Sequence, residues 1–261
     1  MHPVLFEIGS IKIPSYGFFI LLAYIVSIWY LLRISKDYGI DKKTVQDISF
    51  YLIIWGFVGG KALYIFTFFN QFGDSFGERL VNAFSLENIR SGFVYYGGII
   101  SASIYFYIYT KKKKMDFFRV ADLFSRVLPL AHAIGRVGCF FAGCCHGRPT
   151  SSIFGVRFTN PMCSVSLEYI GIPIHPTQIY EAIGNLFIFF IVNKIAAKRR
   201  FDGFVFFVYL ILYGVLRFLV EFFRGDDRGK YCFRFSQAQI ISVVVIFISF
   251  YFIWKKGYEE R

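Results

Sequence analysis

The run His132-Ala133-Ile134-Gly135-Arg136-Val137-Gly138-Cys139-Phe140-Phe141-Ala142-Gly143-Cys144-Cys145-His146-Gly147 sets one arginine, three cysteines and two histidines in and just beyond an apolar, helix-length stretch. A guanidinium at the centre of a membrane helix costs roughly 2.5–3.5 kcal/mol on insertion scales, and more if it cannot reach water or a partner. Arg136 therefore marks a site rather than a packing surface. A second anomaly closes another apolar segment: Tyr213-Gly214-Val215-Leu216-Arg217-Phe218-Leu219-Val220-Glu221-Phe222-Phe223-Arg224. Arginines with a carboxylate inside hydrocarbon imply an anionic ligand, because the planar guanidinium fork matches carboxylate and phosphate oxygens.

The rest of the chain must hold these groups in a membrane. Of 261 residues, 56% are hydrophobic and 21% aromatic, with 35 Phe and 18 Tyr, far above the usage of a soluble domain. The formal net charge of +12 is carried largely in short runs between apolar segments. Bases placed there meet anionic headgroups and set topology, so nucleic acid is not expected as a partner and membrane lipids are.

Runs of about 18–25 apolar residues give seven candidate spans, near 15–32, 49–69, 93–110, 120–142, 178–196, 203–222 and 236–254. The expected fold is all-α: a polytopic integral membrane protein of about seven transmembrane helices, forming one domain over 1–261. The fourth span is the least regular, since Arg126, Pro129, His132 and Arg136 interrupt it. The N-terminal stretch holds Glu7, has only Lys12 as a basic side chain before the first span, and shows no small-residue cleavage site, so the first helix is expected to stay in place. Bases cluster at Arg33, Lys36, Lys42 and Lys43, at Lys111 to Lys114 with Arg119, at Lys194 to Arg200, and at Lys255, Lys256 and Arg261. By the positive-inside rule these sides are cytoplasmic, placing the N-terminus outside and the C-terminus inside. The sixth loop, with Arg224, Arg228, Lys230 and Arg234, is an outward exception that suggests anion binding.

With that orientation Arg136, Cys144, Arg217, Glu221 and Arg224 fall toward the outer ends of the fourth and sixth spans. Tyr16 begins the first span and Tyr95-Tyr96-Gly97-Gly98 the third, also at the outer face. A phospholipid headgroup fits such a place, its tails remaining in lipid while guanidinium groups clamp the phosphate.

Gly135-Arg136-Val137-Gly138, followed by Phe140 and Gly147, resembles the signature Gly-Arg-x-Gly-Asn-Phe-x-Asn-x-Glu-x-x-Gly of prolipoprotein diacylglyceryl transferases. Other landmarks of that family follow in order. They are Tyr16-Gly17, Gly59-Gly60-Lys61 with Tyr64, Gly97-Gly98, His175-Pro176-Thr177-Gln178-Ile179-Tyr180-Glu181, and Tyr213-Gly214 to Glu221-Phe222-Phe223-Arg224. The resemblance covers nearly the whole chain. It implies a transferase of the bacterial inner membrane, with its active site toward the outer leaflet. Such enzymes move the diacylglyceryl group of phosphatidylglycerol to the lipobox cysteine of a secreted prolipoprotein, making a thioether and releasing glycerol phosphate. The resemblance assigns Arg136 and Arg217 to the phosphate, Glu221 to the carboxylate beside them, and Tyr16 to the first-span tyrosine; Arg224 joins the binding set. No cofactor is implied.

The departures bear on mechanism. The family's Gly-Gly pair in the third span follows a histidine often assigned as base, and Tyr96 stands there instead; Cys139, Ala142 and Cys144 replace the signature's Asn, Asn and Glu. Phenol has a reference pKa near 10, so Tyr96 needs a neighbouring cation to act as base, whereas the imidazole of His146 accepts protons near neutrality. The base is His146 or Tyr96, with Arg217 completing the catalytic set.

Each residue has a plainer reading. Arg136 and Arg217 could pair with Glu221, Glu181 or Asp122 simply to hold helices together. His132 could be an interior hydrogen-bonded histidine, His175 an interfacial turn residue, and Lys61 a snorkelling lysine. The spacing of Cys139, Cys144 and Cys145 lacks the paired Cys-x-x-Cys of common zinc sites, so no metal is expected, and small thiols permit close helix approach. Cys163 and Cys232 fall in successive outward loops and could pair in an oxidising compartment. Two further classes stay open: a lipid-binding protein or transporter, and a divergent relative acting on another acceptor.

Overall fold

The computed structural model describes residues 2–9, 11–90, 92–225 and 235–259. Cys232, Arg228, Lys230 and Arg234 lie outside them, so the Cys163–Cys232 pairing and most of the sixth-loop bases do too. In chain order the elements are β1 (Val4–Ile8), β2 (Ile11–Pro14), α1 (Ser15–Ile34), α2 (Lys42–Phe68), α3 (Phe76–Ala83), α4 (Leu86–Arg90), α5 (Tyr95–Lys112), α6 (Phe117–Ser125) and α7 (Leu128–Ala142). Then follow β3 (Val156–Arg157), β4 (Pro173–Ile174), α8 (Thr177–Ala196), α9 (Phe204–Glu221) and α10 (Gln237–Glu259). Among the described residues the protein is helical with two short antiparallel ribbons, β1–β2 and β3–β4. The chain divides into two compact units, Met1–Ile34 with Ala121–Arg261, and Ser35–Val120.

In the first unit the β1–β2 hairpin leads into α1, and the Ser15 amide donates to the Pro3 carbonyl at 2.8 Å. From there α1 packs on α7, α7 on α8, α8 on α9 and α9 on α10. Glycines set how closely these helices meet. A Cβ on Gly138 would lie 2.8 Å from Phe19 Cβ, one on Gly184 2.4 Å from Leu216, and one on Gly214 2.9 Å from Ile246. In lipid there is no hydrophobic gain from bringing helices together, so close backbone approach and interhelical hydrogen bonds carry the association. Asn193 supplies such bonds: its Oδ1 accepts from Tyr30 at 2.8 Å and from Arg126 Nε at 2.9 Å, while its Nδ2 donates to the Arg126 carbonyl at 3.0 Å. Asp122 caps α9, accepting from the amides of Gly203 at 2.9 Å and Phe206 at 2.8 Å. It satisfies helix-start donors that have no partner inside the helix. Asp122 is therefore not the partner of Arg136 or Arg217.

The second unit is built on α2 packed along α5. A Cβ on Gly97 would come within 2.4 Å of the Gly59 carbonyl, and one on Gly98 within 2.8 Å of that of Gly56. Gly59, Gly97 and Gly98 thus serve backbone contact, while Gly60 makes room for the Phe93 ring. Lys61 donates to the carbonyls of Asn88 and of Gly92, the latter at 3.2 Å, and its ammonium lies 4.9 Å from the Tyr64 ring centroid. It ties down a loop rather than reaching for headgroups.

Among the described residues, five segments are long and apolar enough to cross a membrane: Ser15–Tyr38, Lys42–Gln71, Thr177–Ala196, Phe204–Glu221 and Gln237–Glu259. Their outward faces are apolar, with Leu21 57%, Phe247 71% and Trp254 70% exposed, surface that acyl chains solvate better than water. Two of the seven sequence-derived spans differ. The stretch 120–142 is not one helix: α6 ends at Ser125 and α7 starts at Leu128 with Pro129 in its first turn, where a missing amide costs nothing. At 15 residues α7 rises about 22 Å, less than the roughly 30 Å hydrocarbon core. Helix α5 has 18 residues but is rich in tyrosine and ends in Lys111 and Lys112, which leaves its apolar part short.

Candidate anion site and thiol cluster

Glu181, 1% exposed on the second turn of α8, is the hub of the first unit. Arg136 Nε of α7 lies 2.6 Å from its Oε2, a close ion pair set off the N–H axis. Its Oε1 accepts from Arg217 Nη1 of α9 at 3.0 Å and from Arg224 Nη1, in the turn after α9, at 3.3 Å. Arg217 also reaches one turn along its own helix, Nη2 to Glu221 Oε2 at 2.5 Å. Three guanidinium groups thus meet two carboxylates, all five side chains at most 15% exposed. Fixed cations buried from solvent are what a phosphate or a developing anion requires. The plain reading of Arg136 and Arg217 as ion-pair partners holds for Glu181 and Glu221.

Directly after α7 the chain turns at Gly143, whose φ is +81°, and Cys145 holds φ +60°, a left-handed conformation that few residues other than glycine adopt. The turn is pinned from α8: Gln178 Nε2 donates to the Cys144 carbonyl at 2.7 Å and Thr177 Oγ1 to that of Cys145 at 2.8 Å. Backbone bonds extend the clamp, Gly147 N to the His175 carbonyl at 2.9 Å, Arg148 N to Phe223 at 3.0 Å and Gly225 N to His146 at 3.2 Å. Residues 144–148 are thereby fastened both to the start of α8 and to the turn that carries Arg224. The Sγ atoms of Cys139, Cys144 and Cys145 all lie within 4.8 Å of one another. Hydrogen bonding from the thiols of Cys139 and Cys144 pushes the Cys145 thiol down, with Arg224 and Arg136 adding to the effect. Hydrogen bonds with the other two push Cys144 up.

The remaining predicted residues divide. Tyr16 opens α1, with its Cα 3.5 Å from the place of a Cβ on Gly138. Cys139, Cys144, Cys145 and Arg136 are the charged or ionisable groups that act on its hydroxyl. His146 is buried, 4% exposed, with its ring edge-on to Tyr169 at 5.5 Å between centroids. Its Nδ1 lies 3.0 Å from the Gly147 carbonyl, which only accepts, so Nδ1 carries the hydrogen and Nε2 is the basic nitrogen. Tyr96 sits in the first turn of α5 in the second unit, 42% exposed. His132 packs on Tyr213 at 5.2 Å between ring centroids. His175 bonds Tyr180 through Nδ1 at 3.2 Å and packs on Phe223; burial, then Arg148, pushes its pKa down. Cys163 is buried with Phe158, Val165 and Ile174 under the loop between α7 and α8.

In the sequence Glu181 is one of several possible partners for the arginines, and neither its centrality nor the clamping role of Gln178 is visible there. A signal existed: Glu181 stands one helical turn beyond Gln178 at the start of an apolar helix, where a carboxylate needs a cation. The thiol cluster was set aside on spacing. Cys139 and the Cys144-Cys145 pair are separated by a helix end, and only the reversal at Gly143 brings them together.

Residues 3–255 match the family pattern described as prolipoprotein diacylglyceryl transferase. The chain is 39% identical over 251 residues to a phosphatidylglycerol–prolipoprotein diacylglyceryl transferase of Clostridium tetani, covering 96% of each. It is 33% identical to one of Clostridium perfringens, covering 94% of this chain and 92% of that one, and 31% identical to one of Finegoldia magna, covering 98% and 97%. A match of this length spans the Arg136 signature, the His175–Glu181 segment and the Arg217–Arg224 helix end alike, and the chain belongs to the prolipoprotein diacylglyceryl transferase family.

Proposed function

We propose that this membrane protein transfers the diacylglyceryl group of phosphatidylglycerol to the lipobox cysteine thiol of a secreted prolipoprotein, forming a thioether and releasing glycerol phosphate. The observation that carries the reading is the convergence of three buried arginines, Arg136, Arg217 and Arg224, on Glu181. The names of the relatives supply the substrates. Chain 1–261 acts as one transferase domain in the bacterial inner membrane, N-terminus outside, C-terminus cytoplasmic and active site toward the outer leaflet, where a secreted precursor arrives.

In this reading Arg136 and Arg217 hold the phosphate, Arg224 and Glu221 shape its pocket, and Tyr16 orients the headgroup. The acceptor sulfur attacks the glycerol carbon, the carbon–oxygen bond to phosphate breaks, and its electron pair leaves on the phosphate oxygen. Arg217 stabilises the charge growing there. His146 takes the thiol proton on Nε2, and Tyr96 is the rival base. Purified protein incubated with phosphatidylglycerol labelled in its acyl chains and a lipobox peptide tests the proposal. A labelled thioether peptide supports it; lipid binding without any product overturns it.

A further inference from the structure

We propose that Cys139, Cys144 and Cys145 form a three-thiolate site for a zinc ion, whose remaining coordination position receives the acceptor cysteine of the transfer reaction. The inference rests on the transferase reading for its acceptor, and on the geometry for the site itself.

Three sulfurs within 4.8 Å of one another come from two different segments, the last turn of α7 and the loop that follows it. Zinc–sulfur bonds of about 2.3 Å put ligating sulfurs roughly 4 Å apart, so closing the cluster on an ion takes movements below about 1 Å. The loop is held for that purpose by α8, through Gln178 and Thr177 on the carbonyls of Cys144 and Cys145, and Cys145 keeps a left-handed backbone that turns its side chain back toward α7. Cys139 is buried while Cys144 and Cys145 are partly exposed, so the cluster has a closed side and an open one. Adjacent cysteines make strained disulfides, and three thiols cannot all pair. Soft sulfur donors select zinc over magnesium or calcium.

The charge balance agrees. Three thiolates on a divalent ion carry one negative charge, and a fourth thiolate would make two; Arg136 stands about one turn before Cys139 on α7, and the turn that carries Arg224 is bonded to the cysteine loop through Gly225 N and the His146 carbonyl. Catalytic zinc sites keep three protein ligands and one open position, and a thiol that coordinates there loses its proton. Loading the site releases the protons of three thiols to water. When the acceptor thiol binds, its proton goes to water. The zinc-held sulfur then donates an electron pair to the glycerol carbon as the phosphate leaves with the electrons of the broken carbon–oxygen bond. No oxidant or reductant is involved.

The test begins with reduced, metal-stripped protein in lipid nanodiscs, titrated with zinc and with cobalt as a coloured substitute. One equivalent should bind per chain, with sulfur-to-cobalt charge-transfer absorption, and zinc should shield Cys139, Cys144 and Cys145 from alkylation but not Cys163. Cys139→Ser, Cys144→Ser and Cys145→Ser should each weaken binding by more than the roughly 10–100-fold that loss of an outer-shell partner costs, while Cys163→Ala keeps it. A lipobox peptide should strengthen the absorption and its Cys→Ser counterpart should not. Absence of stoichiometric metal, or equal alkylation of the three thiols with and without zinc, overturns the site. An absorption band indifferent to the peptide thiol, or full transfer by metal-stripped protein, overturns the acceptor's place on the metal and leaves the transferase reading standing. Metal and thiol binding with no thioether ever formed supports the site and overturns the transferase reading.

Discussion

Arg136 of α7 and Glu181 of α8 are joined by a 2.6 Å ion pair deep between two helices. The same carboxylate carries Arg217 and Arg224 on its other oxygen, so one acid sets the position of every arginine in the site. Any account of lipid binding must therefore treat the arginines and Glu181 as a unit.

Removing the hub should be worse for stability than removing a spoke. Glu181→Ala takes from three buried guanidinium groups the carboxylate they share, and breaking a buried pair from one side costs about 3–5 kcal/mol. Thermal unfolding in detergent should show a large fall in midpoint, with Glu181→Gln falling less. An unchanged midpoint in Glu181→Ala would count against the cluster's geometry.

Arg136→Ala and Arg217→Ala should each lower transfer by at least about 10²-fold, the loss usual for one charge-stabilising group, while the protein still inserts into the membrane. Lysine should rescue poorly, because it lacks the fork that spans two oxygens. Turnover assays on protein quantified in membranes check this; near wild-type rates in either alanine variant remove the phosphate assignment.

His146→Gln should slow transfer by about 10²–10⁴, the range of general acid–base catalysis, with little change in lipid affinity. Tyr96→Phe, measured in parallel, should slow transfer far less. If the histidine variant keeps its rate, the proton leaves by another route and His146 is a structural residue beside Tyr169.

Sidedness can be read from two exposed loops. Ser151→Cys lies in the exposed loop between α7 and α8 and should react with a membrane-impermeant thiol probe from outside, whereas the native Cys163 is too buried to report. Protease should cut at the exposed lysines 111–114 only from the cytoplasmic side. The reverse pattern inverts the proposed topology.

Gly97→Ala should loosen the second unit, since the new methyl would sit 2.4 Å from the Gly59 carbonyl, a backbone atom with no rotamer to yield. Overpacking of this kind costs about 1–3 kcal/mol. Gly56→Ala, on the facing helix α2 but with open space at its Cβ, should be close to neutral. Thermal unfolding of the pair provides the comparison.

Composition and basic runs sufficed to call a helical membrane protein, because hydrocarbon excludes unpaired backbone and tolerates few charges, so apolar length is read directly from residues. The same logic marked Arg136, Arg217, Glu221 and Arg224, each expensive in lipid and each found in the buried cluster. What one dimension could not decide was which groups share a site. Glu181 is far from every arginine in the chain, and its role exists only because α7, α8 and α9 pack at glycine-sized distances. The break between α6 and α7 was hidden because hydropathy sums over a window and does not see a backbone that stops and restarts at Pro129. Cys139 meets Cys144 and Cys145 for a related reason: a left-handed turn at Gly143 and Cys145, held by Gln178 and Thr177 from another helix, folds the loop back on its own helix end. Residue types set what each side chain can do, but long-range packing alone brings the partners within reach.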